Sequence, residues 1–141
     1  MRMSENTLRK YSVAWLGGIP IAILNGFARN FLYGPYMSEL RAHQVSTVTG
    51  VIFIFGYYWV LNSRWPIKSM RQAQTIGVIW ILFTVVFEFL FGHYVMGNTW
   101  GRLLQDYNLM EGRVWIVLIL NLLASPIIIL QIEGGKTESR N

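Results

Sequence analysis

The chain has 141 residues, of which 53% are hydrophobic and 13% charged, a composition that excludes an ordinary soluble globule. Its net charge is +5, which could indicate nucleic acid binding, but the basic residues of a membrane protein first set its orientation. The predicted partner is therefore the lipid bilayer, and no nucleic acid partner is predicted. The chain has no cysteine, which excludes disulfides and thiolate metal sites.

Four hydrophobic segments are each long enough to cross a hydrocarbon core about 30 Å thick as a helix. A helix is expected for each because a spanning segment must satisfy its own backbone hydrogen bonds. The segments cover residues 10–33, 43–62, 70–95 and 112–132. The predicted fold class is therefore an all-α membrane protein, with four transmembrane helices in an antiparallel bundle spanning residues 10–133.

Several residues are expected to mark the ends of these helices. The Gly34–Pro35 pair should end the first helix, and Pro126 should weaken the inner end of the fourth. Near the end of the second helix lie four aromatic residues, a type that prefers the headgroup boundary: Tyr57, Tyr58, Trp59 and Trp65.

The longest connection lies between the third and fourth segments. In it Trp100, Leu103, Leu104 and Tyr107 recur at helical spacing, which predicts a short helix lying on the outer membrane surface. Residues 1–9 form an N-terminal segment, and residues 134–141 are expected to be a disordered tail.

The basic residues predict the orientation. Of the twelve Lys and Arg, eight lie in the N-terminal segment, the second connection and the tail, whereas three lie in the other two connections. The positive-inside rule then places both termini in the cytoplasm. The remaining basic residue, Arg29, falls inside the first segment.

The strongest functional signal is the pair Arg29 and Glu88. An ionisable side chain inside a span costs roughly 2.5–3.5 kcal/mol unless it is paired or reaches water. Both residues lie in the outer half of the bilayer on helices of the same direction, so an ion pair between them is geometrically allowed. A stripe of small residues on the first helix, spaced every four residues, suits close helix packing. The stripe consists of Ala14, Gly18, Ala22 and Gly26.

Other polar residues could join this centre. The predicted substrate- or ion-binding residues are Arg29, Glu88, Asn25, Thr84, His43 and Asn121, and the candidate outer-loop residues are Trp100, Asp106, Tyr107 and Arg113. His43 and His93 share the outer boundary and could in principle hold a haem or a metal, but interfacial histidines bonded to loops are the simpler interpretation. No cofactor is predicted.

Three functional hypotheses remain open. The favoured one is binding or passage of a small polar solute or ion at the Arg29/Glu88 centre. A homo-oligomer or a partner membrane subunit is expected with it, because four short helices barely enclose a pathway alone. The second is a non-catalytic scaffold or accessory subunit that docks a partner through the outer loop. The third is an outer-facing enzyme or haem protein using Asp106 with a histidine; it is less favoured because no recognised motif supplies a nucleophile.

Two stretches carry a resemblance to a known group of proteins: residues 26–46, GFARNFLYGPYMSELRAHQVS, and residues 87–115, FEFLFGHYVMGNTWGRLLQDYNLMEGRVW. They resemble a family of small predicted bacterial and archaeal membrane proteins without an assigned activity. The resemblance implies a prokaryotic plasma membrane location. It also implies that recurring family segments hold Arg29, Glu39, His43, Glu88, Trp100, Asp106, Tyr107 and Arg113. It provides no substrate.

Overall fold

The computed structural model describes residues 2–105, 107, 108, 110 and 115–139, and over these residues the regular structure is helical. The α-helices are α1 (Arg2–Phe27), α2 (Glu39–Arg64), α3 (Met70–Leu90), α4 (Trp100–Gln105) and α5 (Trp115–Ser139). Two of them continue as π-helix, α1 over Ala28–Tyr33 and α3 over Phe91–Val95. The predicted all-α fold class is confirmed.

Among the residues that the structure describes, four helices are long and apolar enough to cross a membrane, over Glu5–Tyr36, Glu39–Arg64, Met70–Val95 and Trp115–Ser139. In the bundle, α5 packs closely on α2 and α3, and α1 packs more loosely on the same two helices. One end of the bundle holds both ends of the chain and the connection 65–69; we call it the terminal end. The other, the long-loop end, holds residues 34–38 and the connection that contains α4.

The core is concentrated toward the terminal end, where aromatic side chains from three helices form a layer across the bundle. We call Tyr11, Trp15, Tyr57, Tyr58 and Trp80 the aromatic layer. Tyr11 and Tyr58 are fully buried, and the Tyr58 ring stacks on Trp80 at 4.3 Å between centroids. Tyr58 is therefore a core residue, and its expected depth at the headgroup boundary stays a prediction. Its position follows from the hydrogen bond that its hydroxyl makes inside the bundle.

That bond compensates for a proline. In a regular helix the carbonyl of Leu122 accepts the N–H of residue 126, but Pro126 has no N–H. The Tyr58 hydroxyl donates to the Leu122 carbonyl instead, at 3.0 Å. Because a neighbouring helix satisfies the freed carbonyl, α5 runs through Pro126 without interruption. The expectation that Pro126 weakens the end of this helix is wrong.

The same helix also includes most of the predicted disordered tail. It is helical through Ser139, so residues 134–139 do not form a disordered segment. Lys136 explains part of this extension: its ammonium lies 5.1 Å from the centroid of the Trp59 ring and 3.6 Å from the Glu133 carboxylate. These contacts attach the last turns of α5 to α2 and to each other.

Candidate binding cavity

A cavity of about 520 Å³ lies on the long-loop side of the aromatic layer, among α1, α2, α3 and α5. Its volume falls within the range of about 300–1,000 Å³ that is usual for ligand pockets. Most of its wall is apolar, with Trp15, Tyr57 and Trp80 at the terminal end. Toward the long-loop end, Arg29 and Glu88 are part of the wall. The predicted charged centre therefore lies at one end of a largely apolar cavity.

Small residues of α1 leave this space open. Gly18, Ala22 and Gly26 of the predicted stripe all line the cavity, and a Cβ placed on Gly18 would have no neighbour within 4 Å. The stripe therefore does not serve close helix packing at Gly18, which corrects the expectation from its spacing. The close approach is one residue earlier, at Gly17, where a Cβ would collide with the hydroxyl of Tyr57.

Hydrogen bonds from two cavity residues attach α1 to its neighbours. The Asn25 amide is buried and donates to the Ser46 carbonyl at 2.9 Å, while Thr49 donates to the Asn25 oxygen at 2.7 Å. Farther toward the terminal end, the Trp15 indole donates to the Thr84 hydroxyl at 3.0 Å. Asn25 and Thr84, both predicted binding residues, thus line the cavity and also join helices.

Among the described residues, two neutral side chains donate hydrogen bonds to Glu88. The Trp115 indole N–H lies 3.0 and 2.9 Å from the two carboxylate oxygens, and the Tyr107 hydroxyl donates to one of them at 2.8 Å. Tyr107 was predicted as an outer-loop residue. Trp115 was not singled out from the sequence, although it begins the fourth span at the long-loop end, at a depth that could have suggested contact with Glu88.

Arg29 lies in the same cavity wall and points back along the first span. Its Nη2 atom is 3.9 Å from the position that a Cβ on Gly26 would occupy, and its Nε donates to the Asn30 side chain at 3.2 Å. This direction follows from the tilt of helical side chains toward the N-terminus. Arg29 and Glu88 share the wall of this cavity, and the ion pair between them stays a prediction.

His43 extends the polar end of the cavity. It lines the main cavity and also an adjoining pocket of about 360 Å³, whose wall includes Arg29, Asn30 and Glu39. The His43 Nε2 atom lies 3.9 Å from the Glu39 carboxylate. Glu39 in turn forms a 2.7 Å ion pair with Arg102 of α4, so the short helix is connected to the start of α2.

The remaining predicted residues lie elsewhere. Asn121 is outside the cavity wall; it donates to the Val51 carbonyl at 3.3 Å and so joins α5 to α2. The His93 ring stacks on Trp100 at 3.8 Å, and its Nδ1 is 2.8 Å from the Asn98 carbonyl. This is the arrangement of an interfacial histidine bonded to a loop. Asp106 and Arg113 are outside the described residues.

The π-helical segments occur at the level of the charged residues. One begins at Ala28, next to Arg29, and the other begins at Phe91, three residues after Glu88. In the first, the N–H of Gly34 bonds back to the Arg29 carbonyl, and a Cβ on Gly34 would collide with that oxygen. Single turns of π-helix are frequent at functional sites, which agrees with a site at this end of the cavity.

The fold and its cavity define the class of the protein as a polytopic helical membrane protein with a ligand-sized cavity inside its bundle. Comparison with known protein families, with curated proteins and with solved structures finds no match. The resemblance to a family of small prokaryotic membrane proteins stays a prediction.

Proposed function

We propose that this protein binds a small solute in the cavity, with Arg29 and Glu88 as the groups that hold the polar part of the ligand. The observation that carries the proposal is the position of both side chains in the wall of one ligand-sized cavity, within helices long enough to span a membrane. Charged residues at this depth are costly, and they usually mark a binding site or a pathway. The apolar remainder of the wall would enclose the rest of the ligand.

Binding is favoured over open passage because the aromatic layer closes the cavity toward the terminal end. The Tyr57 hydroxyl donates to the Ala14 carbonyl at 2.6 Å, and the indole of Trp15 is bonded to Thr84 at 3.0 Å. A solute could continue to the terminal end only if these contacts between α1 and its neighbours were broken. If the positive-inside rule holds, the terminal end is cytoplasmic and the ligand is reached from the opposite side.

Two matched glycine substitutions test the proposal. Neither Gly18 nor Gly56 has a neighbour within 4 Å of a Cβ, so both accept a side chain without a backbone shift, but only Gly18 lines the cavity. In Gly18→Leu the new side chain should fill the cavity, whereas in Gly56→Leu it should extend from the exposed side of α2. Native mass spectrometry of protein purified in mild detergent would compare the bound small molecules.

The expected result is a bound species on the unsubstituted protein and on Gly56→Leu that is missing or strongly depleted on Gly18→Leu. The same species at equal occupancy on all three proteins would show that the cavity is not the binding site. Absence of any bound species from the unsubstituted protein would also contradict the proposal.

A further inference from the structure

The cavity is elongated along the axis of the bundle. Its wall extends from Trp80 to Gly92 on the third span and from His43 to Tyr57 on α2. These stretches are about 18 and 21 Å long at 1.5 Å per residue, whereas a compact cavity of about 520 Å³ would be about 10 Å across. A ligand that fills the cavity is therefore long and narrow.

The part of the cavity between the aromatic layer and Asn25, which we call the inner half, has an apolar wall. Thr84 adds a hydroxyl there, which accepts the Trp15 indole N–H at 3.0 Å. The side chains that α1, α2 and α5 contribute to this stretch are apolar and include Gly18, Ile19, Ala22, Ile54, Leu118 and Leu122. The inner half therefore suits a hydrocarbon part of a ligand.

The aromatic layer directs its own donors away from the cavity. The Trp80 indole donates to the Tyr11 carbonyl at 3.0 Å, and the Tyr57 hydroxyl donates to the Ala14 carbonyl at 2.6 Å. With the Trp15 indole bonded to Thr84, the layer presents ring surface to the ligand. A polar ligand group placed against it would lose its hydrogen bonds to water without N–H groups of the layer to replace them, which is costly.

The space beside Gly18 can take additional ligand atoms, because a Cβ there has no neighbour within 4 Å. Water is a poor occupant of such an apolar space, since a buried water needs several polar partners. A hydrocarbon chain instead gains affinity about fourfold for each methylene that it buries, the factor that corresponds to about 0.8 kcal/mol.

We propose that the ligand is an amphiphile with one long unbranched hydrocarbon tail, as in a fatty acid or another single-chain lipid. The tail occupies the inner half and ends at the aromatic layer, and the polar head lies toward the long-loop end of the cavity. This inference rests on the proposed function, because it assigns a chemical class to the ligand of the same cavity. It depends on the apolar wall and on the length of the cavity, and holds for any head that the long-loop end accepts.

Photoreactive single-chain probes test where the tail lies. Each probe has a hexadecyl chain with a diazirine either beside the head or at the end of the tail, and the head is in turn a carboxylate, a hydroxyl or an ammonium. The two isomers with one head have the same composition, so they should partition similarly into a bilayer. The protein would be illuminated with each probe in phosphatidylcholine vesicles, and peptide mass spectrometry would locate the modified residues.

For at least one head, we expect the tail-end isomer to modify Trp80 and Leu122. Both side chains line the cavity and are only 2% exposed, so a probe dissolved in the bilayer does not reach them. The isomer with the diazirine beside the head should instead modify the long-loop part of the wall, for example at Asn30 or His43. An excess of the same amphiphile without a diazirine should suppress both reactions.

The matched glycine substitutions connect this labelling to the cavity. Gly18→Leu should displace two or more methylenes from the inner half and reduce the modification of Leu122 about tenfold or more, at about fourfold per methylene. Gly56→Leu, which adds the same side chain outside the cavity, should leave it unchanged. If Gly18→Leu fails to fold, the positions modified by the two isomers on the unsubstituted protein still decide the question.

The outcomes separate the inference from the proposed function. Tail-end labelling confined to exposed positions such as Leu24 and Leu120, with all three heads, would overturn the inference, as would labelling of Leu122 that Gly18→Leu does not alter. In the native mass spectrometry of the proposed function, a species that depends on Gly18 but has no hydrocarbon chain would overturn the tail assignment and leave the proposed function standing. Absence of any species that depends on Gly18 would overturn both.

Discussion

Tyr58 and Pro126 should be energetically coupled, although they lie on different helices and are far apart in sequence. The Tyr58 hydroxyl donates at 3.0 Å to the Leu122 carbonyl, whose usual helical donor is missing because residue 126 is proline. Tyr58→Phe keeps the ring and its stacking but removes the donor. A buried carbonyl without a partner costs about 1–3 kcal/mol, so the free energy of unfolding should fall by about that amount.

The second substitution, Pro126→Ala, restores an amide N–H to the carbonyl of Leu122. In that background Tyr58→Phe should cost only the net value of one hydrogen bond, about 0.5–1.5 kcal/mol. The predicted coupling is therefore about 1 kcal/mol, within the range for residues that share a partner. Changes in packing around residue 126 cancel in the double-mutant cycle because they occur with either residue at position 58.

The assay is reversible unfolding in mixed micelles, applied to the four proteins of the cycle. Tyr57→Phe is the matched control: its hydroxyl donates at 2.6 Å to the Ala14 carbonyl, which keeps its own helical donor, so its cost should not depend on residue 126. If Tyr58→Phe costs the same with proline or alanine at position 126, within about 0.3–0.5 kcal/mol, the explanation for the unbroken helix is refuted.

Three further substitutions have expected effects on the free energy of unfolding in the same assay. Gly77→Ala places a Cβ 2.8 Å from the backbone of α5 and should lower the free energy of unfolding by about 1–3 kcal/mol. Its control, Gly56→Ala, has open space around the new Cβ and should stay within about 0.5 kcal/mol of the unsubstituted protein. Equal effects of the two substitutions would contradict the packing of α3 on α5. Tyr33→Phe should be neutral or stabilising, because the buried Tyr33 hydroxyl has no partner among the described residues, and a clear loss of stability would show an interaction that the structure lacks. Glu39→Gln removes an exposed ion pair with Arg102 and should cost less than about 1 kcal/mol, and less still at high salt; a larger, salt-independent cost would contradict this.

The number and type of helices could be predicted from the sequence because they depend on local hydrophobicity and length. The same holds for the short helix in the long loop, whose apolar residues have helical spacing, and for the end of the first span near Gly34. The shared location of Arg29 and Glu88 could be predicted as well, since depth follows from counting residues along parallel spans. These properties require no knowledge of which helices are neighbours.

The features that depend on neighbouring helices could not be predicted in this way. The spacing of Gly18, Ala22 and Gly26 is the same whether the small residues contact another helix or leave a space beside it. The effect of Pro126 depends on the hydrogen bond that the Tyr58 hydroxyl of α2 donates to the Leu122 carbonyl, whereas local rules alone predicted a weakened helix. Asn121 is polar like the cavity residues but faces α2 outside the cavity, because α5 packs closely there.

The central claim is that a cavity open to ligand reaches the charged residues from the long-loop end. The cysteine-free chain allows a direct test with single cysteines at Gly26, which lines the cavity, and at Gly56, which is exposed on α2 but outside it. Thiol reagents attack the thiolate, which requires water at the site. In phosphatidylcholine vesicles a small water-soluble thiol reagent should label Gly26→Cys and leave Gly56→Cys unlabelled. If Gly26→Cys is as unreactive as Gly56→Cys in phosphatidylcholine, the cavity is not accessible and the account is contradicted.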